Sequence, residues 1–356
     1  MTRCAAGPLR RERIGRILVR APNWIGDAAM AIPVIRGLHR SFPAARMTVL
    51  SRPGVPSIFA GLPGVDQLMT DDPAGLHRGL RGRLRLAAEI RRERFDLAVL
   101  LPNAFSPALV TALAGVPRRL GYRADGRSAL LTHRVPPPPA RSPVHQIDAY
   151  RGILTGAGLT SDGRDPAIAL SPAELQAARA TLTGFGVDPA QALVGVNPGA
   201  AFGGAKRWPA DRFAAVCQAL ADETGARTLI FGGPSEKTLG DALADRCGDG
   251  AINLCGKTGL RDAIALIHQC DLFLTNDSGP MHLAAALDVP LVAVFGPTNH
   301  RTTSPAGPFS RLVRAPGIPC APCMRRECPT DHRCMTAVTV EAVLAEARDI
   351  LGSRRP

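Results

Sequence analysis

Both halves of the chain repeat one pattern: a short apolar run, a turn rich in Gly, Pro or Asn, and then a segment with apolar residues at helical spacing. A chain that alternates strand and helix in this way has to bury its strands on both faces. The architecture that does so is a parallel sheet covered by helices, so the fold class is α/β. In the first half the pattern predicts strands at Arg16–Arg20, Met47–Leu50 and Leu97–Leu101. It predicts helices at about Asp27–Arg40, Leu76–Arg94 and Val144–Ala157, with Arg134–Pro143 an extended proline-rich loop. In the second half it predicts strands at Ala192–Val196, Thr228–Phe231, Ile252–Leu254, Leu272–Thr275 and Leu291–Phe295. The helices are expected at Pro172–Phe185, Asp211–Thr224, Glu236–Arg246, Leu260–His268, Pro280–Leu287 and Val340–Leu351.

A chain of 356 residues exceeds what a single core usually supports, and Gly, Ser, Asp and Pro collect between Gly158 and Pro172. The expected organisation is therefore a first Rossmann-like unit over 1–165, a second over 166–336, and a terminal helix in 337–356. Only 4% of residues are aromatic, so both cores must lean on Ala, Val and Leu. No apolar run approaches the roughly 20 residues of a membrane span. The arginine-rich start, Met1–Arg16, has no apolar stretch of a secretory signal, and a cytosolic protein is expected.

The net charge of +13 is unevenly placed: residues 1–160 hold 24 Arg, no Lys and 10 acidic residues, and the remainder is close to neutral. Such a basic half suits nucleic acid, a phosphorylated or carboxylated acceptor, or an anionic membrane face. Its basic segments lack the interleaved aromatics of a single-strand binder, so nucleic acid is not the expected partner.

Three segments of the second half follow strands and so share one sheet edge. Asn197–Pro209 combines glycines, Gly199 among them, with Lys206 and Arg207, which supply charge for phosphates. Phe231–Glu236 is a glycine turn ending in a carboxylate that can accept from ribose hydroxyls. Asn276-Asp277-Ser278-Gly279-Pro280 opens a helix whose N–H groups and dipole favour a diphosphate, with His282 a few residues further on. Any one of these is often only a helix cap or a structural histidine; three on one edge point to a nucleotide. Neither Gly-x4-Gly-Lys-Ser/Thr nor a Gly-x-Gly-x2-Gly after the first strand is present, which disfavours a P-loop NTPase and a dehydrogenase. In the first half, Asp27 follows the turn Ala21–Gly26 at the start of a helix. It is either a cap or a base able to deprotonate a hydroxyl.

Cys320-x2-Cys323-x4-Cys328-x5-Cys334 places four thiols within 15 residues. The spacing suits a structural zinc, with His332 as an alternative ligand; two disulfides are disfavoured by the compartment, and unliganded thiols are the plain alternative.

The chain is similar to a known family at N-W-I-G-D-A-A-M-A-I-P (Asn23–Pro33), L-P-N-A-F (Leu101–Phe105), the lysine segment Asn197–Pro209, and T-N-D-S-G-P-M-H-L-A-A-A-L (Thr275–Leu287) followed by F-G-P-T. In order and over residues 16–351 these resemble the ADP-heptose–lipopolysaccharide heptosyltransferases of glycosyltransferase family 9, the heptosyltransferase II subfamily above all. The resemblance implies a GT-B fold, two Rossmann-like parallel-sheet domains facing across a cleft, with the last helix packing back on the first. It implies Asp27 as catalytic base and Lys206 on the sugar donor's phosphates, with Glu236 near the ribose. It further implies Asp277, Ser278, Gly279 and His282 around diphosphate and heptose, and Thr258 by the adenine. The implied reaction is inverting transfer from ADP-heptose to the lipopolysaccharide inner core at the inner face of the inner membrane, with peripheral contact to anionic lipid and no cofactor required. Asn23, Trp24, Asn103, Arg123, Arg127 and Arg134 are candidates for acceptor contact, and the helix Leu76–Arg94 for lipid. A heptosyltransferase acting at another core position, or a GT-B-like sugar-nucleotide epimerase, would share these motifs.

Overall fold

The computed structural model describes residues 9, 11–139 and 143–353. The arginine-rich start up to residue 8, and residues 140–142 of the proline-rich stretch, lie outside the described residues. The chain divides into two units, 1–169 and 170–356.

In the first unit, β1 (Arg16–Arg20), β2 (Arg46–Ser51), β3 (Gln67–Thr70), β4 (Leu97–Leu100), β5 (Arg118–Tyr122) and β6 (His133–Val135) form one sheet in the order β3-β2-β1-β4-β5-β6. Every pairing is parallel. The central strands are buried along their length, as expected for runs covered by helices on both faces. The single helix expected from Asp27 to Arg40 is two, Ile25–Met30 and Ile32–Ser41, joined at Ala31. Pro33 sits in the first turn of the second, where a missing N–H costs no hydrogen bond.

The second unit repeats the plan with β7 (Leu193–Asn197), β8 (Arg227–Ile230), β9 (Ala251–Asn253), β10 (Leu272–Asn276), β11 (Leu291–Val294) and β12 (Ser310–Val313). The order is β12-β11-β10-β7-β8-β9, again all parallel. In each sheet the winding reverses beside the first strand, between β1 and β4 and between β7 and β10. Splayed connections at such a point leave a crevice outside the carboxyl ends of the two strands. The motif segments of both units leave the sheet there.

The last helix, Val340–Gly352, buries Val343, Leu344, Ala347 and Ile350 against the helix Ala210–Thr224 and strands β11 and β12. Its apolar stripe is satisfied there. Trp208 stands in the same core, edge-on to Phe213 with ring centroids 4.9 Å apart, and its Nε1 donates to the Val338 carbonyl at 3.0 Å. This indole ties the end of the lysine segment to the residues that introduce the last helix. Trp208→Ala should therefore cost about 3–5 kcal/mol in urea unfolding of the second unit. A loss below about 1 kcal/mol would show that the indole anchors nothing.

Candidate active site

In the second unit the strand β7 ends on Asn197 and the strand β10 on Asn276, and both side chains are buried across the crevice between them. Asn276 donates from Nδ2 to the carbonyls of Pro198 (2.8 Å) and Gly199 (3.3 Å), and its Oδ1 accepts the Trp208 N–H at 2.9 Å. One amide thus holds both ends of the lysine segment. Asn197 donates to the Phe231 carbonyl at 2.9 Å and accepts from Ser278 Oγ at 2.9 Å. The turns after β7, β8 and β10 are joined through these two amides.

Ser278 occupies the N-cap position of the helix Gly279–Ala286, but its hydroxyl is engaged with Asn197 and makes no cap. The Ser278 side chain therefore caps none of the first-turn N–H groups, and a helix start without a side-chain cap is suited to an anion. Lys206 Nζ lies 2.7 Å from Asp277 Oδ2 and 3.3 Å from the Asp277 carbonyl, above the ring of Phe202. Thr298 Oγ1 donates to the same carboxylate oxygen at 2.5 Å. The ammonium is thus fixed beside the uncapped helix start. His282 is buried on the same helix.

Glu236 accepts the Gly233 N–H at 2.8 Å with Oε2. Its other oxygen lies where a Cβ on Gly199 would stand, only 1.6 Å away, so no side chain fits at 199 while Glu236 keeps this position. Lys206 with Asp277, and Gly199 and Ser278 through the two buried amides, are tied by hydrogen bonds, and Glu236 packs against Gly199. Thr258 follows the edge strand β9, two strands from β7, and lies outside that network.

The cysteine segment packs against the lysine loop. Cys320, Cys323, Cys328 and Cys334 are free thiols, and among the described residues no group of three or more His, Cys, Asp or Glu side chains is placed to hold a metal ion. Cys334 is packed in the core beside Met335 and Cys320 is exposed; burial first, and then the nearby Cys320, Cys328 and Cys323, push the Cys334 thiol up to about 11. His332 bonds to the Ala205 carbonyl at 2.7 Å, Glu327 accepts the Gly204 N–H at 3.0 Å, and the Arg326 carbonyl accepts the Ala205 N–H at 2.9 Å. Gly203 has a φ of 154° and a Cβ there would meet the Arg326 carbonyl at 2.2 Å. The segment is a brace behind the lysine loop.

In the first unit Asp27 lies in the first turn of the helix Ile25–Met30, half-buried, and accepts a hydrogen bond from the phenol of Tyr150. Burial first, and then the Asp27 carboxylate, hold that phenol well above its ordinary pKa, so it remains a donor across the working range. Gln146, one turn earlier on the helix Gln146–Gly156, donates to the phenol oxygen. Tyr150 thus stands behind Asp27. Asn23 and Trp24 are exposed beside it, and so is Asn103 beyond the neighbouring strand β4.

Two arginines serve these loops from inside. Arg20 is buried, donates to Asn23 Oδ1 at 2.9 Å and pairs with Asp71 at 3.2 Å; burial pulls its pKa down to about 10, partly opposed by Asp71. Arg127, expected on the acceptor, is 0% exposed. Its guanidinium donates to the carbonyls of Tyr122 and Pro102 and to Asn103 Oδ1 at 2.9 Å, and burial pulls its pKa down to about 10. It positions Asn103 and has no face left for a ligand. Arg123 and Arg134 are exposed.

Two doubly wound parallel-sheet units, each of six strands, are the architecture of the GT-B class. Residues 83–333 match the model of glycosyltransferase family 9 (heptosyltransferase), and the chain belongs to that family. It is 32% identical to lipopolysaccharide heptosyltransferase 2 of Escherichia coli (strain K12) over 84% of this chain and 88% of that one. It is 30% identical to lipooligosaccharide heptosyltransferase 2 of Haemophilus influenzae over 84% and 88%. The solved structure of E. coli ADP-heptose lps heptosyltransferase II superposes with a TM-score of 0.79 at 28% identity, covering 95% of this chain and 99% of that one. The protein is a family 9 glycosyltransferase.

Arg20, Tyr150, Thr298 and the brace at 326–332 were not singled out by sequence reasoning. The only trace of the first is an arginine ending an otherwise apolar strand immediately before the Asp27 turn. Two outcomes follow from the geometry. Tyr150→Phe removes a hydrogen bond to the charged form of Asp27, so the acidic limb of the rate–pH profile should move to higher pH with the donor KM unchanged. An unmoved profile would show that the phenol does not bear on Asp27. Gly199→Ala should weaken ADP binding by roughly tenfold or more, because Glu236 must leave its place, while the melting temperature changes little; unaltered ADP affinity by calorimetry would separate Glu236 from the nucleotide.

Proposed function

We propose that this chain moves L-glycero-D-manno-heptose from ADP-heptose to the heptose of the lipopolysaccharide inner core, with inversion at the anomeric carbon. The observation that carries the reading is the Lys206–Asp277 pair fixed beside an uncapped helix start, where the turns after β7 and β10 meet. Lys206 and the helix N–H groups supply positive potential for a diphosphate, and the free oxygen of Glu236 suits a ribose hydroxyl. The names of the relatives support the donor and acceptor classes.

In the proposed reaction Asp27 takes the proton from an acceptor hydroxyl as that oxygen bonds to the anomeric carbon. The bond from this carbon to the β-phosphate oxygen breaks, and ADP departs with the electron pair. The charge that develops on ADP falls on the lysine and the helix start, which need no reorganisation to receive it. The carbon passes through a state of oxocarbenium character. Asn23 and Trp24, with Asn103 and Arg123, are proposed acceptor contacts. Arg127 acts on acceptor only through Asn103.

The acceptor class is polyanionic and carried by lipid, and the arginine excess of residues 1–160 matches it. Among the described residues no helix is long and apolar enough to cross a membrane. The proposed location is the cytoplasmic face of the inner membrane, by peripheral contact with anionic lipid. Asp27→Ala should lower turnover by roughly 10²–10⁴, the usual contribution of a general base, with ADP-heptose affinity by calorimetry nearly intact. Turnover close to that of the parent would remove Asp27 as the base.

A further inference from the structure

The helix Gly79–Arg92 carries a surface that does not enter the site. Its inward stripe of Gly82, Leu86, Ala87 and Ile90 is buried, the last three in the first unit's core. At 3.6 residues per turn the opposite stripe runs through Leu80, Arg81, Leu84, Arg85, Ala88 and Arg92. An outward stripe is ordinarily polar. Here Leu80 is 74% exposed, Leu84 49%, and Leu76, in the turn before the helix, 52%.

The charges on this face are of one sign. Arg78, Arg81 and Arg92 have no carboxylate partner among the described residues, and Glu89, the only acid between residues 76 and 92, is paired with Arg85 and His77. Leucines spaced by four residues among unpaired arginines form the pattern of a helix lying in a bilayer interface. The apolar side chains enter the headgroup boundary and the guanidinium groups bind lipid phosphates. A soluble polyanion would engage the arginines and leave the leucines in water. The combination selects a partner that is apolar underneath and anionic at its surface.

We infer that the outward face of Gly79–Arg92, with Leu76 and Arg78, is the surface on which the chain docks to an anionic lipid bilayer. The inference rests on the proposed reaction for the presence of a lipid-borne acceptor. The helix would lie in the interface plane with Leu76, Leu80 and Leu84 downward.

The test uses the full chain with two double variants, Leu80→Ser/Leu84→Ser and Arg78→Gln/Arg81→Gln. Each is sedimented with vesicles of phosphatidylcholine alone or with phosphatidylglycerol added. The parent should partition onto the anionic vesicles and not onto the neutral ones, and salt should weaken it. Each double variant should partition roughly tenfold or more weakly, from the usual contribution per basic or apolar residue. All three should turn over a deacylated, water-soluble acceptor equally. Absence of parent binding to anionic vesicles, or equal binding by the variants, would overturn the assignment. So would variants that keep vesicle binding but lose turnover on the soluble acceptor, since the face would then hold acceptor sugar. Failure of the proposed reaction itself reads differently: no turnover on any acceptor, with vesicle partitioning still reporting on the face.

Discussion

A sheet whose strands all run parallel must bring every strand-to-helix turn out at one edge, and the point where its winding reverses leaves two neighbouring turns diverging over a gap. In this protein that gap is bridged by side chains. The buried Asn276 amide spans it in the second unit, with all three of its bonds going to the lysine segment. Removing it would leave the Pro198 and Gly199 carbonyls unpaired in a buried place, at about 1–3 kcal/mol each. The positions of Gly199, Lys206 and Trp208 all follow from this one side chain, and the Asn197–Ser278 bond repeats the device beside it.

Charge is handled by the same logic. Lys206 is not left to search for a ligand: Asp277, itself held by Thr298, keeps it beside the helix start, and the brace from Arg326 to His332 fixes the loop that carries it. A paired lysine in a half-dry site loses little entropy when an anion arrives, which is the condition for electrostatic stabilisation without reorganisation. In the first unit the buried cations serve position alone. Arg20 orients Asn23 and Arg127 orients Asn103, while the protonated Tyr150 keeps Asp27 in place.

Five strands of the second unit were legible almost to the residue, because each is apolar and followed by a strongly punctuated turn; the strand expected at Leu272–Thr275 spans Leu272–Asn276, while the partly exposed edge strand Ser310–Val313 was missed. What escaped lies at edges or carries charge. The strand Gln67–Thr70 is largely exposed, Arg118–Tyr122 opens on two arginines, and His133–Val135 has three residues beside a proline run. None of these has the continuous apolar signal of a central strand. The helix Phe105–Leu113 was also missed. Among site residues, those within a local motif could be read, and Thr298 lay in one without its role being seen, whereas Tyr150 acts from a distant part of the chain and leaves no local mark. Arg127 shows the converse error: a sequence reports an arginine's charge but not the direction in which it points. The close cysteine spacing did bring Cys320, Cys323 and Cys328 near Cys334.

The central claim is heptosyl transfer that needs both a nucleotide-sugar donor and a separate acceptor. The most direct measurement is ADP release from ADP-L-glycero-D-manno-heptose with and without a defined heptosylated inner-core acceptor, with the products followed by mass. The account predicts ADP in step with an acceptor heavier by one heptose, and almost none without acceptor. Consumption of ADP-heptose at the same rate in the absence of acceptor, or its conversion to an isomer of equal mass, would contradict it.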